Sequence, residues 1–163
     1  MKKIIIFIIV LSIFLNMNKV KSINIPDKSI RIRVIANSNS KIDQNEKIKI
    51  SIKVQDYVQG LLQNTKNIKE ADKIIKNNIN NINNEIKKYT DNYTLLYGKN
   101  FFPEKRYKGV VYNEGYYDSL VIKLGKGKGK NWWCVLFPPL CLMETDENVE
   151  YKFYVKEIID KYF

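Results

Sequence analysis

The sequence predicts an α+β fold: one N-terminal strand, two helices, an antiparallel β meander and a C-terminal helix. Three observations lead to this class. An alternation of apolar and polar residues comes first, two stretches of helical periodicity follow, and short apolar runs separated by glycine and asparagine fill the second half. The 163 residues, 45% of them hydrophobic, are enough for one domain with a hydrophobic core.

The first strand is predicted over residues 29–36, where apolar residues alternate with polar ones and share one face. The polar break after it places Ser40 and Asp43 at the spacing of a helix N-cap and the residue that it caps. We therefore predict a helix from this point to about Gln63. Residues 48–54 also alternate as a strand would, so a strand is the alternative there.

A second helix is predicted from Ile68 to Tyr89, because apolar residues recur there at steps of three and four. Its asparagine-rich middle, residues 77–84, has low helix propensity, so packing must stabilise it. Strands of the meander are then predicted at residues 93–97, 109–112, 120–124 and 132–137. The C-terminal helix is predicted to place its apolar residues on one side: Val155, Ile158, Ile159 and Tyr162.

The first 22 residues predict export. Two lysines precede an apolar run from Ile4 to Leu15, which is about 18 Å long as a helix. This is shorter than the roughly 30 Å hydrocarbon core of a bilayer and is typical of a signal peptide. We predict cleavage after Ser22, which leaves residues 23–163 as a single exported domain. An uncleaved N-terminal anchor is the alternative.

The charge of the chain gives little support for a nucleic-acid partner. The formal net charge is +11, but lysine supplies most of the positive residues and they are spread along the sequence. The only arginines are Arg31, Arg33 and Arg106, whereas a nucleic-acid-binding protein usually clusters its charge and favours arginine. We predict no nucleic-acid partner. A weak attraction to an anionic membrane or wall polymer is compatible with the charge alone.

The sequence contains no histidine, which excludes histidine-based acid–base and nucleophilic catalysis. With two cysteines and no histidine it also lacks the usual ligands of a zinc site. We therefore predict no catalytic residue, no metal and no cofactor. A glycan hydrolase with paired carboxylates is an alternative, and Glu114 and Asp118 are its nearest candidates. Both flank a predicted turn at Gly115, where acidic residues are common for other reasons.

Cys134 and Cys141 are the two cysteines of the chain. In an oxidising environment outside the cell, two cysteines with none left over predict one disulfide. A bridge between them closes a loop of eight residues, which stabilises the fold by about 2.5 kcal/mol on the loop-entropy estimate. The bridge would therefore shape a local turn more than it would hold the domain together.

Rare residue types are concentrated in residues 125–141, which include three of the seven glycines, both tryptophans and both cysteines. Its glycines alternate with lysines and lead into a predicted strand, whereas phosphate-binding loops lead into a helix. We therefore predict a flexible, solvated connection over the glycine-rich part. The alternative is that its lysines hold an anionic surface: Lys126, Lys128 and Lys130.

The apolar run from Trp132 to Met143 is longer than one strand requires. As a strand it directs Trp132 to one face and Trp133 to the other, so both faces need cover. One interpretation is a central strand with both faces buried. The other is that residues 136–140, fixed by the disulfide, stay exposed as a binding patch.

The same block resembles the stage II sporulation protein R family, secreted signalling proteins of endospore-forming bacteria. The resemblance lies in Gly127-Lys128-Gly129 and in the run Asn131-Trp-Trp-Cys-Val-Leu-Phe-Pro-Pro-Leu-Cys141. It extends to Arg31-Ile-Arg33-Val-Ile-Ala-Asn-Ser38, Asp43-Gln44, Phe102-Pro103 and the Gly115-x-Tyr117 turn. The chain departs from the family pattern at Lys126 and Lys130, where an acidic residue and an arginine are expected.

The resemblance implies a messenger and not an enzyme. Members of the family are exported from the forespore into the space between two membranes. There they trigger a membrane-embedded aspartic protease of the mother cell to process the precursor of a sporulation sigma factor. We therefore expect this protease as the partner and that space as the location. The residues that we predict to contact the partner are Trp132, Trp133, Phe137, Arg31 and Arg33.

Overall fold

The computed structural model describes residues 23–107, 110–141 and 148–163. Its strands are β1 (Ile23–Asn24), β2 (Ile30–Ile35), β3 (Tyr93–Phe102), β4 (Lys105–Tyr107), β5 (Val110–Tyr112), β6 (Gly115–Leu124) and β7 (Asn131–Phe137). Its helices are α1 (Lys41–Leu62), α2 (Ile68–Asn77), α3 (Ile79–Lys87) and α4 (Asn148–Tyr162). The predicted α+β class is confirmed.

The main sheet contains four strands in the order β3–β6–β2–β7. β6 pairs antiparallel with β3 along its whole length, and β2 pairs antiparallel with β7. Between them, β2 and β6 pair in parallel. The chain between β2 and β3 covers one face of the sheet as α1–α3. A smaller sheet has the order β1–β5–β4. The early strand β2 is therefore inserted between two strands from the end of the sheet-forming region.

Helix α1 begins where the capping pattern predicts. The Ser40 hydroxyl accepts a hydrogen bond from the Asp43 N–H at 3.1 Å, which satisfies one of the free donors at the helix start. Ile50 and Val54 are fully buried against the sheet, whereas Ile48 is 41% exposed. The strand alternative for residues 48–54 is therefore wrong.

The predicted second helix is interrupted at Asn78, which separates α2 from α3. The Asn78 side chain donates to the Ile74 carbonyl oxygen at 2.9 Å, so it competes with the helical hydrogen bonds. The apolar stripe nevertheless continues across the break, since Ile75 and Ile82 are both fully buried. Packing thus holds the asparagine-rich segment in place, as expected, but in two helices and not in one.

The main sheet is covered on both faces by separate apolar clusters. On the first face, residues of β2 and β6 pack against α1–α3: Ile30, Ile32, Val34, Leu120, Ile122, Val54, Ile75 and Ile86. On the second face, β7 packs with the small sheet and α4: Val135, Ile25, Val110, Leu140 and Val155. Of the four residues predicted to share one side of the C-terminal helix, Val155, Ile158 and Ile159 pack on the second cluster and Tyr162 packs on the first.

Two strands are longer than predicted. β3 stays extended through Gly98 and continues to Phe102, and β6 begins at Gly115. In the part of the chain that the structure describes, no helix is both long and apolar enough to cross a membrane. The predicted signal peptide, residues 1–22, lies outside that part, so export stays a prediction.

Candidate functional site

The loop between β6 and β7, residues 125–130, is bound along its length to residues 36–39, which follow β2. Four N–H groups of the loop donate to this segment at 2.8–3.0 Å: Lys126 to Asn37 Oδ1, Lys128 to Asn37 O, Gly129 to Ala36 O and Lys130 to Asn39 Oδ1. The prediction of a flexible connection is therefore wrong. The lysine side chains of the loop are nevertheless exposed to solvent.

Three glycines allow this close approach. Gly125 and Gly127 have φ angles of 51° and 62°, in the left-handed region that residues with a side chain rarely adopt. A Cβ atom at Gly129 would overlap the carbonyl oxygen of Ser38. The alternation of glycine with lysine is therefore explained by backbone conformation and packing. It gives no support to a phosphate-binding loop.

The carboxylate of Asp43, in the first turn of α1, joins this loop contact to the helix. It accepts hydrogen bonds from the Ser38 hydroxyl and from Asn37 Nδ2, the latter at 3.0 Å. The hydrogen bond from Ser38 is the main reason that the pKa of Asp43 lies below its usual value. Asn37 thus donates to Asp43 with its amide nitrogen and accepts from the loop with its amide oxygen.

Lys47, which is 5% exposed, lies beneath the same contact. Its Nζ donates to Gln44 Oε1 at 2.7 Å and to the Lys130 carbonyl oxygen at 3.4 Å. Gln44 in turn donates to the Ser38 carbonyl oxygen at 2.8 Å. Burial lowers the pKa of Lys47, and the nearby charge of Lys130 lowers it further.

We call this network the glycine clamp; it comprises residues 36–39 and 125–130 with Asp43, Gln44 and Lys47. The side chains of Asn37, Ser38, Asp43, Gln44 and Lys47 form hydrogen bonds with one another and with the backbone, whereas the lysine side chains of residues 125–130 are exposed. The clamp fixes the ends of β2, β6 and β7 to the start of α1. The hydrogen bonds of the clamp therefore have a structural role.

Cys134 and Cys141 form the predicted disulfide, with their Cα atoms 5.4 Å apart. The turn that it closes is buried, and its most enclosed apolar residues are Leu136, Phe137 and Leu140. The ring centroid of Tyr162, near the end of α4, lies 5.1 Å from that of Phe137. The alternative of an exposed tip at residues 136–140 is therefore wrong, because the C-terminal helix packs on it.

On the sheet face that is turned away from α1–α3, two arginines lie among aromatic rings. We call this group the arginine–aromatic cluster; its members are Arg31, Arg33, Phe102, Tyr117 and Trp133. The Cζ atom of Arg31 lies 3.3 Å from the ring centroid of Tyr117, and that of Arg33 lies 5.2 Å from the centroid of Trp133. Phe102 contacts both arginines, at 5.5 and 5.6 Å, and packs edge-to-face on Trp133. Such cation–π contacts are favourable.

The alternation of β2 produces this arrangement. Ile30, Ile32 and Val34 face the helices, so Arg31 and Arg33, which lie between them, face the other side. The strand register then places Arg33 opposite Trp133 of β7 and Arg31 opposite Ser119 of β6. Tyr117 and Phe102 reach the arginines from the far ends of β6 and β3.

The two guanidinium groups have few polar partners. Arg31 is 3% exposed, and it donates to the Asn113 carbonyl oxygen at 3.3 Å and to Ser29 Oγ at 3.4 Å. Its Nη2 atom is buried and has no hydrogen-bond partner within the described residues, and the same holds for Nε of the half-buried Arg33. Burial lowers the pKa of both arginines, although the charge of Asp27 raises that of Arg31 in part.

Neither arginine forms an ion pair within residues 23–107, 110–141 and 148–163. The ion pairs found there are Lys76–Asp72, Lys88–Glu85, Lys99–Asp118 and Arg106–Glu104. Buried charges in proteins are normally paired, because an unpaired charge away from water is costly. Aromatic rings replace an anion only in part. The cluster therefore has the capacity to accept one.

Two exposed side chains border the cluster. Lys105 of β4 places its Nζ atom 5.0 Å from the ring centroid of Trp133. Leu96 of β3 shares one cross-strand row with Val121, Arg33 and Trp133, and it is 60% exposed. Positive charge, an aromatic ring and an exposed aliphatic side chain thus occur together on this surface.

The structure brings together three of the five residues that the sequence suggested as partner contacts: Arg31, Arg33 and Trp133. Trp132 points to the other face of β7 and packs on the helix-side cluster. Phe137 is 3% exposed beneath Tyr162. These two side chains do not lie on the same surface as the other three, and partner binding by any of the five stays a prediction.

Sequence reasoning did not propose Phe102, Tyr117 or Lys105 as site residues. The first two belong to short segments that carry the family resemblance, and that signal could have found them. The pairing of β4 with β5 places Lys105 beside the cluster, and no sequence pattern gives this pairing.

The family model of stage II sporulation protein R matches residues 26–147. The chain belongs to this family. It is 36% identical over 143 residues to stage II sporulation protein R of Bacillus subtilis (strain 168), an alignment that covers 84% of this chain. The chain matches 62% of the length of that relative. No solved structure matches the chain.

The segments that carry the resemblance to the family meet around β2. The segment 31–38 supplies β2 and one half of the glycine clamp, and residues 127–129 supply the other half. Residues 131–137 form β7 beside β2. Phe102 and Tyr117 complete the arginine–aromatic cluster. The segments that resemble the family therefore lie together in the structure, and the arginine–aromatic cluster lies on one face of the sheet that they form.

The structure gives little support to Glu114 and Asp118 as the catalytic carboxylates of a glycan hydrolase. Asp118 is bound to Lys99 on the surface, with Oδ2 3.2 Å from Nζ, and Glu114 is exposed in the turn before β6. Two cavities of the described structure lie elsewhere, one lined by Leu62, Phe137, Pro139 and Tyr162 and the other by Ile79, Asn83, Asp91 and Tyr93. Within the described residues, no group of three or more cysteines and acidic residues is placed to hold a metal ion.

Proposed function

We propose that this protein is an exported sporulation signal that activates a membrane-embedded aspartic protease. The protease then processes the precursor of a sporulation sigma factor. The proposed location is the space between the forespore and mother-cell membranes. Membership of the stage II sporulation protein R family supports this function, and so does the signal peptide predicted for residues 1–22.

The observation that carries the proposal is the arginine–aromatic cluster. Arginine, tryptophan and tyrosine are the residue types that most often dominate the energy of protein–protein binding. Arg33 and Trp133 lie on adjacent strands of a sheet, so little conformational freedom is lost when a partner docks on them. A protein that acts by binding, without chemistry of its own, needs a surface of this kind.

The experiment that tests the proposal is reconstitution in a bacterial host that does not sporulate. The full chain, the protease and the sigma-factor precursor are expressed together, and conversion of the precursor is followed by immunoblot. We expect conversion with all three components and none without this chain. We also expect none when residues 2–22 are deleted, because the protein then stays inside the cell.

Two controls make the result specific. A protease whose catalytic aspartate is replaced should give no conversion, which assigns the cleavage to that enzyme. Addition of the exported chain to cells that express only protease and precursor should restore conversion from outside. Conversion that is independent of the chain, or that persists after deletion of residues 2–22, would rule out the proposed function.

A second candidate is weak binding to an anionic membrane or wall polymer, favoured by the exposed lysines of the glycine clamp: Lys126, Lys128 and Lys130. Such binding should weaken steeply as salt is raised, since exposed charges are screened. Sedimentation with phosphatidylglycerol vesicles or purified wall at about 0.05 and 0.5 M salt measures it, because screening lengths fall severalfold over that range. Retention that salt leaves unchanged would argue against it.

A further inference from the structure

We infer that the arginine–aromatic cluster binds a carboxylate of the partner, on a peptide segment that also carries an apolar side chain. This inference rests on the proposed function and adds the chemistry of the surface that the protein recognises. The receiving groups are Arg33 and Lys105 for the carboxylate, and Leu96 and Trp133 for the apolar neighbour.

Positive charge without an ion-pair partner surrounds Trp133. The guanidinium of Arg33 and the ammonium of Lys105 both lie against this ring, at 5.2 and 5.0 Å from its centroid. Arg31 adds a third positive charge behind Phe102. No ion pair within the described residues neutralises any of them. An anion placed between these two cations would interact favourably with both of them, whereas the cations otherwise repel each other.

The shape of the Arg33 guanidinium suits a carboxylate. A guanidinium offers two parallel N–H groups that match the two oxygens of a carboxylate. Arg33 is half-buried among Phe102, Trp133 and its own strand, so its orientation is fixed before any ligand arrives. Lys105 is exposed and flexible, which suits it to attract the anion and to complete its coordination.

An apolar surface lies beside the positive charge. Leu96 is 60% exposed on the same cross-strand row as Arg33, with Val121 between them. An exposed leucine two strands from Arg33, on the same face of the sheet, favours a ligand with an apolar part near its carboxylate. A peptide with an acidic residue beside an aliphatic one has both features. A lipid headgroup offers only the charge, and it is typically held by flexible lysines on an open surface.

The experiment uses the three-component host described above, with the full chain in every case. Arg33→Gln removes the charge and the paired donors, and Arg33→Lys keeps the charge alone. Lys105→Gln removes the second cation at an exposed position. Lys73→Gln, on the exposed side of α2, is the matched control, since it makes the same change away from the cluster.

We expect Arg33→Gln to slow conversion of the precursor at least about tenfold, as loss of one partner of a partly buried charge pair usually does. Lys105→Gln should slow it about two- to threefold, as expected for a rim charge. Arg33→Lys should fall between these, and Lys73→Gln should match the wild type. Circular dichroism of each exported variant checks that it is folded.

A binding measurement tests the same point on the unaltered protein. Peptides copied from each exported segment of the protease are prepared with their own Asp and Glu residues, and again with Asn and Gln. Each is titrated into the isotope-labelled exported chain, and the indole N–H signal of Trp133 is followed by NMR. The Trp132 indole, on the opposite face of β7, is the internal reference. Phosphatidylglycerol vesicles form a separate arm.

The expected result is a shift of the Trp133 signal, but not of the Trp132 signal, by at least one acidic peptide. Its amide version should bind at least about tenfold more weakly. Equal binding of the two versions would overturn the inference. So would normal conversion by a folded Arg33→Gln variant, or a shift that vesicles cause and peptides do not. If the wild-type chain gives no conversion, the proposed function itself fails; if it does and the variants match it, only this inference fails.

Discussion

The glycine clamp and the arginine–aromatic cluster both adjoin β2, and both contain a buried cation, but only one of them satisfies it. In the clamp, Lys47 Nζ donates to two oxygens of the chain. In the cluster, one nitrogen of Arg31 and one of Arg33 are buried without a partner within the described residues. Polar groups that hold a fold together are normally paired internally. The unpaired nitrogens of the cluster are the reason that we propose the binding of a second molecule there.

The largest effect on stability should come from Gly129→Ala, in the clamp. The free energy of unfolding should fall by about 3 kcal/mol, because the added methyl group overlaps the Ser38 carbonyl oxygen. Urea unfolding followed by tryptophan fluorescence measures this. Gly60→Ala is the matched control, since a Cβ atom there meets nothing within 4 Å. Gly60→Ala should raise the free energy of unfolding by about 0.5–1 kcal/mol, because alanine is more stable than glycine in a helix. A similar loss of stability at both positions would show that close packing at Gly129 is not the cause.

A smaller loss is expected at the helix start. Ser40→Ala removes the acceptor of the Asp43 N–H and should lower the free energy of unfolding by about 1 kcal/mol. Ser40→Asp keeps an acceptor at this position and should retain most of the stability. Thermal unfolding of the two variants beside the wild type makes the comparison. If both variants lose the same amount of stability, the hydrogen bond that Ser40 accepts from the Asp43 N–H does not stabilise the start of α1.

Acid should weaken the clamp further. The pKa of Asp43 is held below its usual value in the folded protein, mainly by the Ser38 hydroxyl. A depressed pKa stabilises the fold above the unfolded-state value of about 4, and the stabilisation is lost as pH falls through the folded value. The urea midpoint should therefore drop below about pH 4, and Asp43→Asn should drop less. If the urea midpoints of Asp43→Asn and the wild type fall equally with pH, Asp43 is not the cause of the acid sensitivity.

The smallest change in stability should come from the cluster. Arg33→Met keeps the volume, removes the unpaired guanidinium, and should leave the free energy of unfolding within about 0.5 kcal/mol or raise it. Lys47→Met, in the clamp, should lower it by about 1–3 kcal/mol, because Gln44 and Lys130 lose their donor. Denaturant unfolding of Arg33→Met and Lys47→Met measures the two changes in stability. Precursor conversion by Arg33→Met shows whether the cluster is needed for function. A large loss from Arg33→Met would mean that the cluster, too, is structural.

Local features of the fold were predictable from the sequence where local chemistry determines them. Ser40 and Asp43 mark the start of α1, and the apolar periodicity of residues 68–89 marks a helical segment. The break at Asn78 was not predictable, since the isoleucine stripe continues across it. At the break, the Asn78 side chain donates a hydrogen bond to the Ile74 carbonyl oxygen, a contact that the apolar pattern does not reveal.

The candidate site was predictable in part. The tryptophans and the arginines were singled out from the sequence, but their distribution between two faces of β7 and β2 depends on strand register. The pairing of Arg33 with Trp133 joins residues that are far apart in the chain. The same holds for Gly129, whose role follows from the approach of residues 36–39 and not from the glycine pattern.

The insertion of β2 between β6 and β7 has a consequence for the order of folding. β2 is made early, yet its partners are residues 115–124 and 131–137. Contacts across such separations form late, because a long loop must close before either strand pair is gained. We therefore expect β2 to gain its first partner only after β6 has been made, and the central sheet to be complete only after β7 has been made.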